Sequence, residues 1–487
     1  MCNFEELPEE IIRMICEHVT RNDIHSLMST SRTIHSISQP FQYRELHIVY
    51  PRIYLPCRES DSVDDLAVRV QRKAIDAQQD FARTLSGLRL REGLVHYVRS
   101  IHIDAWWPLT FPSAYPVGED KLDIWLHTPM WEAILDFGSQ CTGLSSLTLV
   151  GAWLSRGIPP MFHRVPEVTK LVILRGEVLR LPADVPPNNT VKSMTFGGNM
   201  DGGLFLSNIL PLFGNLKALY LLTTQAQRFR YRPSGLSDNS FRTLEKFVVS
   251  KLHPSDLEDV FEWISSCLIM LQLDRVTPSL THLKIDVQQI EEDDIWGLKC
   301  TLSHCPLRCL VLGYFKMVPA DIYDTLSFAF PNLIALTLIR QIDCHEQSVE
   351  WTPREMVIWE HATEVARFPN LVHFGWNYRP LLPKASSSSI ILLENDFFEP
   401  LDFEDDDIPN DSDTTHEMSL IVQLFASRCP NLQTMTFDPE EIAPTNGPSM
   451  NYKIRRSAEG FVSVDTITDS HCFSHYNPIS PNNPEWS

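Results

Sequence analysis

The chain has 487 residues, 43% hydrophobic and 21% charged, enough apolar material for a large core and too much for global disorder. Its 62 acidic and 41 basic residues give a formal net charge of -21, which argues against a nucleic-acid binder, because counterion displacement needs a basic face. No apolar run approaches the roughly 20 residues of a membrane helix, and Asn3, Glu5 and Glu6 stand where a secretory leader wants basic and apolar residues, so a cytosolic or nuclear protein without a membrane partner is expected.

Residues 7–48 supply the first predicted elements. Leu7, Ile11, Met14, Ile15 and Val19 recur at three- and four-residue steps, which predicts one apolar helix face. Pro8 suits a first turn, where its missing N–H has no partner to lose, and Glu9 and Glu10 complement the positive end of the helix dipole. Asn22-Asp23 reads as a turn and cap before a second short helix carrying Ile24, Leu27 and Met28. Thr30-Ser31 marks another turn, Ile34 and Ile37 give a third apolar face, and Pro40 is expected to stop that helix. Helices this short bury too little to offset their own ordering entropy. The segment should therefore lean on a partner or on the chain that follows, for which it would form a helical cap.

The run Leu7-Pro8-Glu9-Glu10-Ile11, followed by Ile15, His18, Asp23-Ile24, Leu27, Thr30-Ser31-Arg32, Ile37, Pro40 and Tyr43, resembles the F-box motif in residue type, spacing and position. That resemblance implies a helical hairpin whose apolar ridge packs into the Skp adaptor of SCF (Skp–cullin–F-box) ubiquitin ligases, with cullin reached through the adaptor. On the same analogy Leu7, Pro8, Ile11 and Ile15 would carry the docking.

Beyond residue 48 one pattern repeats: an apolar residue, two variable ones, an apolar, one variable, an apolar. It reads Leu144-Leu147-Leu149, Val168-Leu171-Ile173, Val191-Met194-Phe196, Leu216-Leu219-Leu221 and Leu244-Phe247-Val249. It continues through Leu280-Leu283-Ile285, Leu307-Leu310-Leu312, Leu333-Leu336-Leu338, Leu371-Phe374-Trp376 and Leu432-Met435-Phe437. Val98-Ile101-Ile103 is an earlier member, and Tyr43-Leu46-Ile48 can start the series. Most neighbours lie about 23–28 residues apart, within the leucine-rich-repeat range. Cys305-Pro306, Phe330-Pro331-Asn332, Phe368-Pro369-Asn370 and Cys429-Pro430-Asn431 mark places where a helix ends and a strand begins. Apolar steps at Leu257, Val260, Phe261 and Ile264, at Ile421, Val422, Leu424 and Phe425, and at Trp131, Ile134 and Leu135 predict the intervening helices. The expected fold is thus α/β: an N-terminal helical module, residues 1–48, followed over 49–440 by an irregular solenoid of parallel strands lined by helices. This resembles the leucine-rich-repeat family, and its irregular, aromatic-rich form resembles fungal F-box proteins with degenerate repeats. The family's asparagine beyond the strand is matched only by Asn199, so its internal asparagine ladder is missing.

Insertions are expected at 50–93, with a helix around Val63 to Leu88 lacking a clean single face, and at 105–127, an irregular loop rich in proline and aromatics. A third, 384–416, combines Ser386 to Ser389 with a dense acidic run and reads as disordered. Residues 441–487 form a partly disordered tail with one strand over Phe461 to Ile467.

No nucleophile elbow, zinc-protease helix, phosphate-binding lysine loop or dinucleotide glycine pattern occurs. The 11 cysteines, an odd and scattered number, suit reduced thiols better than a disulfide framework. Cys300, His304, Cys305 and Cys309 cluster in sequence, but split between a helix end and a strand they fit buried packing better than a zinc site. No enzyme, metal or cofactor is expected. Residues flanking the middle apolar position of each strand should face the open side of the sheet. Among them Lys170, Tyr220, Lys246, His282, Lys284 and His373 compose a weakly basic candidate surface for a protein substrate. The resulting expectation is a substrate receptor of an SCF ubiquitin ligase. The alternative is a non-catalytic interaction scaffold with a helical cap and no part in ubiquitin transfer.

Overall fold

The apolar triplets fold as predicted: their second and third members turn into one side of parallel strands, one strand per repeat. A computed structural model describes residues 7–49, 63–90, 93–104, 128–150, 153–154, 164–165, 167–174, 177–178, 188–198, 210, 213–223, 240–252, 254–315, 321–340, 358–376, 414–437, 450–457 and 462–467. The chain divides into two compact units, Met1–Gln227 and Arg228–Ser487.

The first unit opens with three helices, α1 (Glu9–His18), α2 (Arg21–Met28) and α3 (Arg32–Gln42), and runs straight into strand β1 (Glu45–Val49). Helices α4 (Val63–Arg89) and α5 (Leu94–Tyr97) precede β2 (Ser100–Asp104), and α6 (Thr128–Gly138) precedes β3 (Ser146–Val150). Then come β4 (Trp153–Leu154), β5 (Lys170–Leu174), β6 (Glu177–Val178), β7 (Ser193–Gly198) and β8 (Ala218–Thr223). Neighbours in the order β1-β2-β3-β5-β7-β8 are parallel, while β4 and β6 pair on their own. Constant register places Leu46, Ile101, Leu147, Leu171, Met194 and Leu219 in one buried row.

In the second unit β9 (Lys246–Leu252), β10 (His282–Ile290), β11 (Cys309–Phe315), β12 (Ala335–Arg340), β13 (His373–Trp376) and β14 (Thr434–Phe437) form the parallel series. Helices α7 (Pro254–Leu273), α8 (Glu292–Leu302), α9 (Ile322–Ala329), α10 (Ile358–Val365) and α11 (Thr414–Arg428) alternate with the strands. The inward row Phe247, Leu283, Leu310, Leu336, Phe374 and Met435 is 0% exposed throughout. At about 25 cal/mol per Å² of apolar surface, continuous rows of this kind dominate the stability of a stacked-repeat fold. The chain thus has helices at its N-terminus followed by leucine-rich-repeat-like strand–helix units, an α/β fold.

What aligns the repeats is a carbonyl at the start of each strand that accepts two N–H groups from the next repeat. Arg308 O accepts from Ile334 N at 2.8 Å and Ala335 N at 3.0 Å, and Ile334 O accepts from Val372 N at 2.8 Å and His373 N at 3.0 Å. Arg44, Arg99, Ser145, Thr169 and Lys192 do the same in the first unit. Asparagines join this edge: Asn370 Nδ2 donates to Pro331 O at 3.3 Å and Asn431 Nδ2 to Pro369 O at 2.6 Å. Two of the Pro-Asn pairs therefore bridge successive repeats ahead of the strands.

The expected helices all form, with three differences. Pro40 does not stop α3, which reaches Gln42, at the cost of one N–H that its ring cannot supply to the helix. Helix α4 does carry a clean face, Ala74, Ala77, Phe81 and Leu85, each at most 7% exposed; it was hidden because half of it is alanine. The tail holds two strands, β15 (Met450–Arg456) and β16 (Val462–Ile467), which add antiparallel to β14 and to each other. The predicted loop at 105–127 lies outside the described residues, as does the acidic stretch from 384 to 413; Thr414 to His416 begin α11.

Candidate functional site

Two capping arrangements shape the N-terminal helices. Thr20 Oγ1 accepts from Asp23 N at 3.3 Å while the Asp23 carboxylate accepts from Thr20 N at 3.3 Å, a reciprocal cap that starts α2. Ser31 Oγ accepts from Ile34 N at 3.2 Å and starts α3. The tightly turned helices enclose a small core of Ile12, Cys16 and Ile37, with Leu7, Leu27 and Phe41 packed against it. Ser38, 0% exposed, places its Oγ 3.4 Å from Cys16 Sγ and so satisfies the one polar group inside.

The apolar arc of α1 is therefore split between two environments. Ile12 and Cys16 face inward, whereas Ile11 is 38% and Met14 50% exposed, with Pro8 open and Ile15 half-buried beside them. Of the predicted docking residues, Pro8, Ile11 and Ile15 lie along this open ridge, and Leu7 is half-buried between ridge and core. Met14 belongs to the ridge too; its exposure could not be read from periodicity, which locates an apolar arc but not the half that faces in. An isoleucine–methionine ridge left in water on a rigid helix is a surface built to be covered. Residues 4–43 match the F-box domain family. The N-terminal module is an F-box domain. The F-box passes into the repeats with only Tyr43 and Arg44 between α3 and β1, and Arg44 O already takes the two N–H groups of Arg99 and Ser100.

Beyond the F-box, none of the curated proteins compared matches the chain. A solved structure described as "Crystal structure of TLR13-ssRNA13 complex" is similar at 13% identity and a TM-score of 0.30, over 58% of this chain and 36% of that one. The chain thus spans about a third of the length of that match.

The sheet face that was expected to be open is largely closed in the second unit. Lys246, His282, Cys309, Ala335, His373 and Thr434 form one row across six strands. Lys246 and His282 are half-buried neighbours, but His373 is 0% exposed and Lys284, one step along β10, is 3% exposed. Tyr220 in the first unit is 4% exposed, and burial pushes its phenol pKa up, while Lys170 is half-buried. Tyr220, Lys284 and His373 therefore do not form an open basic surface. Asp286, buried on the same side of β10 as Lys284, adds an acid to that face. Alternation along a strand assigns sides, not solvent.

Burial holds the His282 imidazole down to about 4, helped by the positive charges of Lys246 and Arg308 and opposed by Glu245. An open groove of about 710 Å³ with a mixed lining runs instead along the strand starts, past Arg308, Asn332, Asn370 and Arg456 and the apolar Pro306, Ile334 and Val372. Cys305 and Cys309 are buried, with thiols pushed up to about 12 and about 11, while Cys300 is exposed. Among the described residues no three His, Cys, Asp or Glu side chains are grouped to hold a metal, and no helix is long and apolar enough to cross a membrane.

Proposed function

We propose that the protein is the substrate-recognition subunit of an SCF-type E3 ubiquitin ligase, with the F-box on a Skp adaptor and the repeats on a protein substrate. The observation that carries this reading is the exposed ridge of Pro8, Ile11, Met14 and Ile15 on a module whose own core is already filled by Ile12, Cys16 and Ile37. F-box domains in general serve as adaptor-binding parts of such ligases rather than as catalysts. The role is positional: tethering a substrate near the charged conjugating enzyme raises the effective concentration of its lysines. Of the six sheet residues, Lys170 in the first unit and Lys246 and His282 in the second keep some exposure for a substrate, and within the second unit the strand-start groove past Thr281, Arg308 and Arg456 adds further surface next to His282.

Pull-down with purified Skp adaptor and cullin tests the assignment. Wild type is expected to bring down both, and Leu7→Ala with Pro8→Ala, or Ile11→Glu with Ile15→Glu, to lose them. Absence of binding by the folded wild type would reject the receptor role and leave an interaction scaffold.

A further inference from the structure

In the second unit the helical side carries a surface that neither the F-box nor the sheet face accounts for. Helices α8 and α9 lie side by side, and between their N-terminal turns is a groove of about 360 Å³ lined by Glu292, Asp293, Trp296, Asp321, Ile322 and Thr325. Trp296 is 60% exposed, and Phe328, on the last turn of α9, is 79% exposed. Large aromatics are costly to leave in water, and two on adjacent helices are not scattered surface residues. The three groove carboxylates form no ion pair among the described residues, and no basic side chain lines the groove.

The rings already hold a cation. Lys299 Nζ sits 4.7 Å from the centre of the Trp296 ring and 5.2 Å from that of Phe328, so the electron-rich faces of both are presented toward one positive charge. The carboxylates of Glu292, Asp293 and Asp321 line the same groove as Trp296. Apolar area, ring faces and negative charge together complement one chemistry: an amphipathic segment with arginine or lysine beside leucine or an aromatic residue. A second copy of this chain is a poorer occupant, since at -21 two copies repel.

We infer that the α8–α9 surface is a docking site for a basic amphipathic segment of a partner protein, whose cation competes with Lys299 for the Trp296 and Phe328 rings. The site is independent of adaptor docking, so F-box variants leave it unchanged and its failure does not touch the ligase reading.

The test is fluorescence anisotropy with the full chain and a fluorescein-labelled peptide of alternating arginine and leucine pairs. Wild type binds it, and Trp296→Ala with Phe328→Ala, or Asp293→Lys with Asp321→Lys, weakens binding about tenfold or more. Lys299→Ala tightens binding severalfold, because it frees the rings and removes a like charge; a purely structural lysine would give no gain. Asp76→Lys with Asp80→Lys, the same change of charge on the exposed side of α4, leaves binding within twofold. Equal weakening by both charge reversals, or indifference to loss of the aromatics, would overturn the inference. So would a concentration-dependent dimer abolished by Trp296→Ala with Phe328→Ala. The substituted side chains on α4, α8 and α9 are exposed apart from half-buried Lys299, and far-UV circular dichroism checks that each variant is folded.

Discussion

His373 shows what burial does to a single side chain in this sheet. It is 0% exposed, its Nδ1 lies 2.9 Å from Thr434 Oγ1, and Nε2 has no hydrogen-bond partner among the described residues. Desolvation penalises the imidazolium and lowers the pKa from 6.5 to about 4. The unfolded chain therefore takes up this proton first as pH falls. The stabilisation is full above about pH 6.5, declines as pH drops toward 4, and is constant below that. Urea melts at pH 7.5, 5.5 and 4.5 read this out when wild type is compared with His373→Leu, so that the other histidines cancel. The stability difference should move toward the variant by on the order of 2 kcal/mol between the extremes; a difference independent of pH would show that the ring stays protonatable in place. A histidine this deeply buried was not legible in the sequence. Its position beside the middle apolar residue of the triplet assigned it to the open side, and only the packing of neighbouring rows decides whether that side is wet.

At the scale of elements, α1 separates stability from docking within one turn. Ile12 is 1% exposed and Ile11 38%, so the same truncation has different consequences. Ile12→Ala should cost about 2–4 kcal/mol through the cavity it leaves and lower the melting temperature of the F-box. Ile11→Ala should change stability by less than about 1 kcal/mol and act on adaptor affinity. A melting curve for each, beside the pull-down, checks the split. Arg456 offers a second element-scale test. From β15 it donates to Leu432 O at 2.5 Å, Ala426 O at 2.9 Å and Cys429 O at 2.8 Å, and so ties the last turn of α11 and the segment that follows it to the tail hairpin. Charge-assisted bonds to a helix end are worth about 1–2 kcal/mol at a partly exposed site, and Arg456→Ala should lose that much in chemical denaturation, with Arg456→Lys recovering part of it. The strands and most helices were legible because leucine and its relatives recur at fixed steps. The inner face of α4 was not, because Ala74 and Ala77 mark a buried face far more weakly than leucine or phenylalanine, and the Pro-Asn pairs signalled a helix stop without revealing that the amides of Asn370 and Asn431 bridge repeats.

At the scale of the whole molecule, a parallel stack must end somewhere, and its last strand exposes unpaired N–H and C=O groups that invite another chain. In the Arg228–Ser487 unit β14 is covered on its open side by β15, with Thr434 opposite Lys453 and Phe437 opposite Met450. Tyr452, 0% exposed, packs edge-on against Phe437, their centroids 5.8 Å apart, and Ile454 is buried beside it. β16 then forms the new edge, and it is a poor template. Its side chains alternate between half-buried and exposed, and the Asp465 carboxylate pairs with Arg455 at 2.6 Å. The strand Met450–Arg456 was not legible because Lys453, Arg455 and Arg456 mask a two-residue alternation of only Tyr452 and Ile454. Its turn to antiparallel pairing also falls outside the repeat that predicted the other strands. If the hairpin closes the edge, Tyr452→Asp, which places a charge against Phe437, should detach it. The variant is then expected to keep the parallel core's circular dichroism signal, to elute as oligomers in size-exclusion chromatography with light scattering, and to bind thioflavin T. A monomeric, thioflavin-negative Tyr452→Asp protein would show that β14 needs no cover. Asp465→Lys, which breaks the Arg455 pair and makes the edge more basic without touching Tyr452, should remain monomeric and so separates loss of the cover from a mere change of charge.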